Sequence, residues 1–389
     1  EQLLLQEEVD AVNWYRDETH VDFGCLFENR CKLLHLAYER FSENDEYRRF
    51  LDENADWLED YALFMSLKEK FHNRPWYEWS ISLMKRLPGI LSCTRQEMHD
   101  SVQFQYFLQY QFFRQWKALR SYANQRGIKI IGDVPIYVPL DSVDVWSAPE
   151  LFQLDGNCRP TAVAGCPPDS FSADGQLWGN PIYNWELMKA ENFAWWCERV
   201  GAAFELYDIL RIDHFRGFAS FWAVSAKEKT ARNGKWKKGP GMKLFDAVNK
   251  KLKNPSIIAE DLGEFGKDVE QLLKDTGFAG MRVIQFGFDG KDNSHLPHNH
   301  PKNCIAYTGT HDNQTLVGWC ASEFPDEDAR QKAHQIIAEL MASRAPWVIF
   351  PLQDILLLDD DARLNVPGTI DGNWTWKCDV PLPKIDMKR

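Results

Sequence analysis

The sequence predicts an α/β protein built on a parallel sheet, and three observations support this prediction. Apolar residues spaced three or four apart indicate helices, and short β-branched runs indicate strands. The two kinds of segment alternate along much of the chain, as in βα units. Acidic residues follow several predicted strands, and polar residues at the carboxyl ends of parallel strands are typical of a (β/α)8 barrel. We therefore predict a TIM (β/α)8 barrel with helical insertions.

Two regions of different character are predicted along the chain. Residues 1–125 form a mostly helical insertion or subdomain, and residues 126–389 form the barrel portion, with an inserted loop at 139–185. Gly127 ends the clearest helix of the first region. The apolar face of that helix consists of Val102, Tyr106, Tyr110, Phe113, Trp116 and Leu119.

The barrel portion contains six predicted strands, at residues 128–133, 208–213, 256–260, 281–286, 304–308 and 347–351. Helices are predicted near residues 186–206, 241–253, 264–275 and 326–343. The strand ends, or the loops that follow them, carry Asp133, Asp213, Glu260, Asp312 and Asp354. A complete barrel has eight strands. We therefore expect this chain to lack its first two βα units and further sequence to precede residue 1.

The composition argues against several classes of partner. The 45 basic and 57 acidic side chains give a formal charge of −12, which disfavours nucleic acid and anionic membranes as partners. No apolar run approaches the ~18 residues of a membrane span, and no signal peptide is visible. The nine cysteines are scattered without a C-x-x-C pair, which predicts free thiols in a reducing cytosol.

The stretch R-I-D-H-F-R-G-F, residues 211–218, places four ionisable side chains at the end of an apolar run. Asp213 suits a carboxylate nucleophile at a strand end. Arg211 lies two residues earlier on the same strand face, where its charge would keep that carboxylate ionised. A structural Arg–Asp pair explains the same residues equally well.

Two later stretches add polar residues at strand ends. In I-I-A-E-D-L-G, residues 257–263, a carboxyl group after apolar residues would have the raised pKa of a general acid. Glu260 and Asp261 both qualify, and either could instead cap the next helix. In Y-T-G-T-H-D-N-Q-T, residues 307–315, His311 and Asp312 fit a pair that contacts substrate, or a turn with an Asx cap.

Taken together, these carboxylates meet the requirement of retaining glycoside chemistry, in which two carboxyl groups flank the glycosidic bond. A third carboxylate and a histidine would stabilise the developing positive charge, and the 16 tryptophans offer flat surfaces for stacking sugars. The segment 165–183 is rich in Gly, Pro, Asp and aromatic residues. It fits a substrate-binding loop or a compact Ω-loop packed on its own aromatic residues.

Two other stretches invite a metal-binding interpretation that we do not favour. His295, His298 and His300 lack the spacing of a zinc site and lie in a predicted loop. The run Asp359–Asp361 lacks the alternating oxygen ligands and the turn glycine of a calcium loop. A solvated charge run is the favoured interpretation there, and no metal site is expected.

The motifs resemble, in sequence and in order, those of the 4-α-glucanotransferases of glycoside hydrolase family 77, the amylomaltases or disproportionating enzymes. The resemblance runs from about residue 20 to residue 376. It is carried by I-G-D-V-P-I-Y-V, G-C-P-P-D-S-F…L-W-G-N-P-I-Y, R-I-D-H-F-R-G-F, I-I-A-E-D-L-G, Y-T-G-T-H-D-N and L-N-V-P-G-T…G-N-W. It implies transfer of α-1,4-glucan segments between maltooligosaccharides by a retaining double displacement that releases glucose.

The resemblance also implies roles for individual residues. Asp213 matches the nucleophile, Glu260 the general acid/base and Asp312 the carboxylate that stabilises the transition state. Substrate-binding positions match Arg211, His311, Asp133, Asp169, Phe171, Trp178 and Asn365. No cofactor is implied. The implied partners are maltooligosaccharides and starch- or glycogen-derived glucans, with no nucleic acid or membrane, and the implied location is the cytoplasm, or the plastid in a plant.

Three alternatives to glucan transfer stay open at this point. A plain α-glucan hydrolase would use the same intermediate but would let water attack it. An N-terminally truncated fragment would be inactive. A non-catalytic glucan-binding protein would keep the stacking aromatic residues, although the presence of every matched carboxylate argues against it.

Overall fold

The computed structural model describes residues 3–14, 19–168, 172–263 and 266–379. The chain divides into two compact units. We call Ser42–Phe278 the central unit, and Glu1–Phe41 together with Ala279–Arg389 the terminal unit. In the described residues, no helix is both long enough and apolar enough to cross a membrane.

The described residues form ten strands and fifteen α-helices. The strands are β1 Ile131–Pro135, β2 Ala162–Cys166, β3 Gln176–Pro181, β4 Ile209–Asp213, β5 Ser220–Ser225, β6 Lys235–Lys238, β7 Ile257–Ala259, β8 Ala279–Val283, β9 Cys304–Tyr307 and β10 Trp347–Ile349. The helices are α1 Gln6–Asp10, α2 Phe23–Glu39, α3 Asp45–Glu53, α4 Ala55–Lys70, α5 Ile81–Met84, α6 Pro88–Glu97, α7 His99–Asn124, α8 Val143–Ser147, α9 Trp185–Ala190, α10 Ala194–Leu206, α11 Met242–Leu252, α12 Lys267–Thr276, α13 Leu316–Glu323, α14 Ala329–Met341 and α15 Leu352–Ile355.

The central unit contains a parallel group of strands in the order β1-β4-β7. Val134 and Ile212 are buried, as is the whole of β7, because helices cover parallel strands on both faces. The core around these strands is unusually aromatic. Its largest fully buried side chains include Trp76, Trp146, Trp196, Tyr183 and Phe218.

A second sheet of the central unit is antiparallel, with the strand order β3-β2-β5-β6. Strand β2 pairs with β5 without interruption from Ala162 to Gly165, whereas its pairing with β3 shifts register between Val163 and Gly165. The shift interrupts the ladder between β2 and β3, as a β-bulge or a similar irregularity does. This sheet carries Trp178 on β3.

The terminal unit contains its own parallel strands, in the order β8-β9-β10. All four residues of β9 are buried, as expected for the middle strand of a covered parallel sheet. Helices α13 and α14 contribute most of a separate apolar core, which includes Leu316, Ile336 and Leu340.

The α/β class predicted from the sequence is confirmed, and each of the six predicted strands is present with ends shifted by up to three residues. The predicted helix 186–206 is two helices, because Asn192 and Phe193 adopt the left-handed conformation between α9 and α10. The strands β2, β3, β5 and β6 were not predicted, so the segment 165–183 is more than a loop. The division into 1–125 and 126–389 stays a prediction.

An ion pair connects the long helix α7 to the start of strand β4. The guanidinium of Arg120 donates to Asp208 Oδ1 at 2.8 and 3.0 Å and to the carbonyl oxygens of Phe204 and Glu205. Asp208 Oδ2 accepts from the amide of Ile130, just before β1. Burial opposes ionisation, but these hydrogen bonds outweigh it and lower the pKa of Asp208.

Replacing Arg120 with methionine is expected to reduce the free energy of unfolding by about 3 kcal/mol, because Asp208 would be left partly buried without its cation. Urea unfolding at pH 7 measures the change. Lys117→Met, an exposed position on the same helix, should change it by less than about 0.5 kcal/mol.

The pKa of Asp208 is lowered on folding, so its contribution to stability is complete above the unfolded pKa of about 3.9 and is lost as the pH falls. The difference in free energy of unfolding between wild type and the Arg120→Met variant should therefore become smaller below about pH 4. A difference that stays constant on acidification would contradict this account of the ion pair.

Candidate active site

The pairing of β4 with β7 brings two carboxyl groups of the central unit to the same strand edge. Ile212 pairs with Ala259, and the amide of Glu260 donates to the carbonyl oxygen of Ile212 at 2.9 Å. Asp213 and Glu260 are the next residues of the two strands. They therefore emerge side by side where the strands leave the core, the position at which open βα sheets and barrels bind ligands.

Arg211 connects Asp213 with a second aspartate from the neighbouring strand. Its Nη2 donates to Asp213 Oδ1 at 2.9 Å, and its Nη1 donates to Asp133 Oδ2. Strand pairing dictates this arrangement, because Asp133 and Arg211 are direct partners in the register of β1 and β4. Burial works against the charge of Arg211, but the two aspartates outweigh it and raise its pKa.

Glu260 lies in a different environment, because its side chain is buried while Asp213 is 43% exposed. Burial is the largest cause that raises the pKa of Glu260, to about 7, and the negative charge of Asp213 raises it further. The charge of Arg211 and two backbone amides act in the opposite direction. Those amides, of His214 and Leu262, donate to Oε2 at 2.8 Å and to Oε1 at 2.7 Å.

The two carboxyl groups thus lie in different environments. Asp213 is paired with a cation and is 43% exposed, whereas burial raises the pKa of Glu260 to about 7. A pair of neighbouring carboxyl groups with separated roles of this kind can act as nucleophile and general acid. The alternative that Glu260 or Asp261 caps a helix is wrong, because α12 begins at Lys267 with Gly266 as its N-cap.

The predicted substrate-binding loop is described only in part. Asp169 and Phe171 lie outside the described residues. Trp178 lies on β3 with 36% of its surface exposed, and its ring stands perpendicular to that of His214 at 4.7 Å. An indole held in place yet accessible on one side can stack against a sugar.

The terminal unit holds the other predicted site residues. Asp312 Oδ1 accepts from Asn365 Nδ2 at 2.6 Å and lies 3.5 Å from His311 Nε2. Arg363 donates to the carbonyl oxygen of Asp312, and the His311 ring lies 5.2 Å from that of Trp374. Asp312 remains 48% exposed. Hydrogen bonds from Arg363 and Asn365 therefore hold the turn that carries the carboxylate of Asp312 and the imidazole of His311.

Two acidic residues that follow β10 along the chain serve the structure. Asp354 is 1% exposed and accepts from Thr308 and from the amide of Leu316, the first residue of α13. Asp360 accepts from Gln314 at 2.7 Å and from the amide of Thr315 at 3.0 Å. The interpretation of residues 359–361 as a solvated run is therefore wrong for Asp360, whereas its two neighbours are exposed.

The histidines of the segment 295–300 also have structural partners. His295 Nδ1 accepts from the amide of Val283, burial lowers its pKa to about 4, and His300 contacts the carbonyl oxygen of His295. Within the described ranges, no group of three or more His, Cys, Asp or Glu side chains could hold a metal ion.

Three residues that contact the predicted site residues were not predicted from the sequence. His214 donates its backbone amide to Glu260, and its left-handed φ of 52° has no signal in the sequence. Leu262 does the same through its amide. Trp374 belonged to the quoted motif G-N-W but was given no role. Several of the 16 tryptophans form the core rather than sugar-stacking surfaces, among them Trp76, Trp146 and Trp196.

The sequence matches one known protein family over most of its length. The model of the family described as 4-alpha-glucanotransferase, glycoside hydrolase family 77, matches residues 1–382. The chain belongs to the 4-alpha-glucanotransferase family. Membership makes it a glycosyltransferase of the class that acts on α-1,4-glucans.

Relatives from distant bacteria support the assignment to the 4-alpha-glucanotransferase family. The 4-alpha-glucanotransferase of Clostridium butyricum is 43% identical over 96% of this chain and 80% of its own length. That of Thermus thermophilus is 42% identical over 92% of this chain and 76% of its own length. The structure of amylomaltase from Streptococcus agalactiae in complex with acarbose has a TM-score of 0.91 at 38% identity, covering 97% of this chain and 79% of that one.

The protonation of Glu260 can be measured without any activity. We expect its carboxyl group to titrate near pH 7 rather than near 4.5, because burial and Asp213 disfavour its ionised form. Carbon-13 NMR of protein labelled at glutamate side-chain carboxyls would follow it, with the resonance assigned by its loss in Glu260→Gln.

Asp213→Asn should lower the titration midpoint of Glu260, because it removes a neighbouring negative charge. Asp246→Asn, an exposed position on α11, serves as the matched control and should leave the midpoint unchanged. A midpoint near 4.5 in the wild type would contradict the proposed environment.

Proposed function

We propose that this chain transfers α-1,4-glucan segments between maltooligosaccharides by a retaining double displacement, releasing glucose when the leaving group is a single sugar. One observation supports this most directly: in a family of glucanotransferases, an arginine-paired Asp213 and a buried Glu260 with raised pKa emerge from adjacent parallel strands. Retaining glycoside chemistry needs one carboxylate and one carboxylic acid at such a site.

In the first step, the Asp213 carboxylate attacks the anomeric carbon of the donor sugar. Arg211 holds Oδ1, so Oδ2 is the attacking oxygen. The protonated Glu260 gives its proton to the glycosidic oxygen as the C–O bond breaks. The released sugar departs with a free hydroxyl group, and the donor segment remains as an ester on Asp213.

In the second step, Glu260 acts as a base. It removes the proton from an acceptor hydroxyl group, whose oxygen attacks the anomeric carbon and displaces Asp213. Two inversions restore the original configuration. Water in place of the acceptor would give hydrolysis, so transfer requires that sugar occupy the acceptor position. The exposed indole of Trp178 suits that purpose, because it offers a flat surface. Its ring contacts the ring of His214, whose backbone amide donates to Glu260.

The remaining residues have roles that rest on the family match and on their own surroundings. Asp133 fixes Arg211 from the neighbouring strand. Asp312 is proposed to stabilise the transition state, with His311 and Asn365 beside it as sugar contacts. Asp169 and Phe171 are proposed as substrate contacts from the family match alone. The (β/α)8 barrel likewise stays a prediction. The proposed partner of this chain is an α-glucan, and the similar amylomaltase from S. agalactiae was solved in complex with acarbose.

Incubation with maltotriose, followed by chromatography of the products, tests the proposal. Glucose and chains longer than maltotriose are expected together, since each transfer lengthens one chain by what another loses. Asp213→Asn should abolish both, because the amide cannot form the ester. Asp246→Asn should retain the wild-type product pattern.

Other product patterns would contradict the proposal. Glucose and maltose without longer chains would establish a hydrolase. Absence of any product, in protein that NMR shows to be folded, would favour a glucan-binding protein or an inactive chain. Longer chains that persist in Asp213→Asn would exclude Asp213 as the nucleophile.

The pH dependence of the reaction should follow Glu260. Because the free enzyme must hold a proton on Glu260, kcat/KM for maltotriose should be maintained up to about pH 7 and then fall about tenfold per pH unit. Initial rates from pH 5 to 9 at constant ionic strength measure this limb. A decline that begins near pH 5 would show that Glu260 has an ordinary pKa or is not the acid.

A further inference from the structure

His214, the residue directly after the nucleophile, has an unusual backbone. Its φ of 52° and ψ of 48° are left-handed, a conformation that costs a non-glycine residue roughly 1–2 kcal/mol. The conformation ends β4 abruptly and begins the short helical turn Phe215–Phe218. It also aims the amide of His214 at Glu260 Oε2, which accepts at 2.8 Å. Strain that persists beside reacting groups is often part of their positioning.

The side chain of His214 makes a second, independent contact. Its ring lies 4.7 Å from the ring of Trp178 at an interplanar angle of 88°, an edge-to-face arrangement. Gly217 leaves room beside the ring, since an added Cβ would lie 3.3 Å from His214 Cδ2 and 2.6 Å from Ile136 Cδ1. Burial, and then the charge of Arg216, lower the pKa of His214 to about 3. The imidazole therefore packs as a neutral ring.

Among the described residues, Trp178 has two other contacts. Its Nε1 donates to Gln176 Oε1 at 3.1 Å within the same strand, and its ring lies 6.2 Å from that of Tyr137. The perpendicular ring of His214 is closer than that of Tyr137 and follows β4, outside the sheet that carries Trp178. Within the described residues it is therefore the ring best placed to hold the indole, which is 36% exposed.

We propose that His214 is a positioning residue with two separable parts: its backbone amide orients the carboxyl group of Glu260, and its imidazole holds Trp178 as a sugar-stacking surface. The proposal deepens the proposed glucan transfer and rests on it. One residue thus contacts both the sugar-stacking indole, through its ring, and the general acid/base, through its backbone amide.

The two parts respond differently to substitution. Asparagine tolerates the left-handed conformation, so His214→Asn should keep the amide bond to Glu260 and lose only the ring contact. Valine is β-branched and does not tolerate φ above zero, so His214→Val should displace the amide as well. Lys253 supplies matched controls, because it is left-handed at the end of α11. Lys253→Asn and Lys253→Val place the same two residue types in a left-handed conformation outside the candidate site.

The ring contact is tested by calorimetric binding of acarbose, which needs no turnover. His214→Asn should weaken binding about fivefold, the effect of one edge-to-face ring pair. If His214 acts through Trp178, the double variant His214→Asn/Trp178→Ala should bind no more weakly than Trp178→Ala alone. Fully additive losses, unchanged affinity in His214→Asn, or no acarbose binding by the wild type would each overturn this part.

The amide contact is tested by the carbon-13 titration of Glu260. The His214 amide lowers the pKa of Glu260, so its displacement in His214→Val should move the midpoint upward, while His214→Asn and Lys253→Val leave it in place. The other charged groups acting on Glu260, Asp213 and Arg211 on β4, are unchanged in these variants. An unchanged midpoint in folded His214→Val, or an equal shift in His214→Asn, would overturn this part.

These measurements separate the two proposals. Binding and titration report on His214 even if maltotriose is not converted, whereas product chromatography of the wild type and Asp213→Asn reports on the transfer reaction. If His214→Val does not fold while Lys253→Val does, His214→Asn and its double variant still decide whether the imidazole acts through Trp178.

Discussion

Parallel pairing between β4 and β7 is the constraint on which the chemistry of the central unit depends. It places Asp213 and Glu260 side by side and lets the charge of one disfavour ionisation of the other. Two neighbouring carboxylates cannot both ionise cheaply at a partly buried strand edge. The environments of the two groups differ accordingly, because the guanidinium of Arg211 bonds Asp213 directly while burial raises the pKa of Glu260.

The acidic residues fall into two groups according to how completely their carboxylate oxygens are hydrogen-bonded. Asp354 is buried and Asp208 partly buried, and backbone amides, a hydroxyl group and a guanidinium bond their oxygens, so they join elements together. Asp213 and Asp312 remain nearly half exposed with a single close side-chain donor each in the described contacts. A carboxylate can act on a substrate only when it keeps a free, accessible oxygen, so exposure and bonding distinguish the two groups better than position along a strand does.

Both units place aromatic and polar groups around a carboxyl group. In the central unit, the neutral ring of His214 contacts Trp178 while its amide bonds Glu260. In the terminal unit, the ring of His311 contacts Trp374 while its Nε2 lies close to Asp312. Aromatic rings paired with histidine offer flat apolar surface next to hydrogen-bonding groups, which is the combination that sugar recognition requires, because a sugar ring has apolar faces and polar edges.

The sequence by itself determined the α/β class, the six parallel strands and the acidic residues at their ends, because hydrophobic periodicity and strand composition are local properties. It also determined the Arg211–Asp213 pair, since residues two apart share a strand face. Only the tertiary structure excluded a helix-capping role for Glu260 and Asp261, made Asp354 and Asp360 structural, and revealed the antiparallel sheet and the left-handed backbone of His214. Those outcomes depend on burial, on charges from other strands and on a left-handed backbone, which are set by residues distant in the chain.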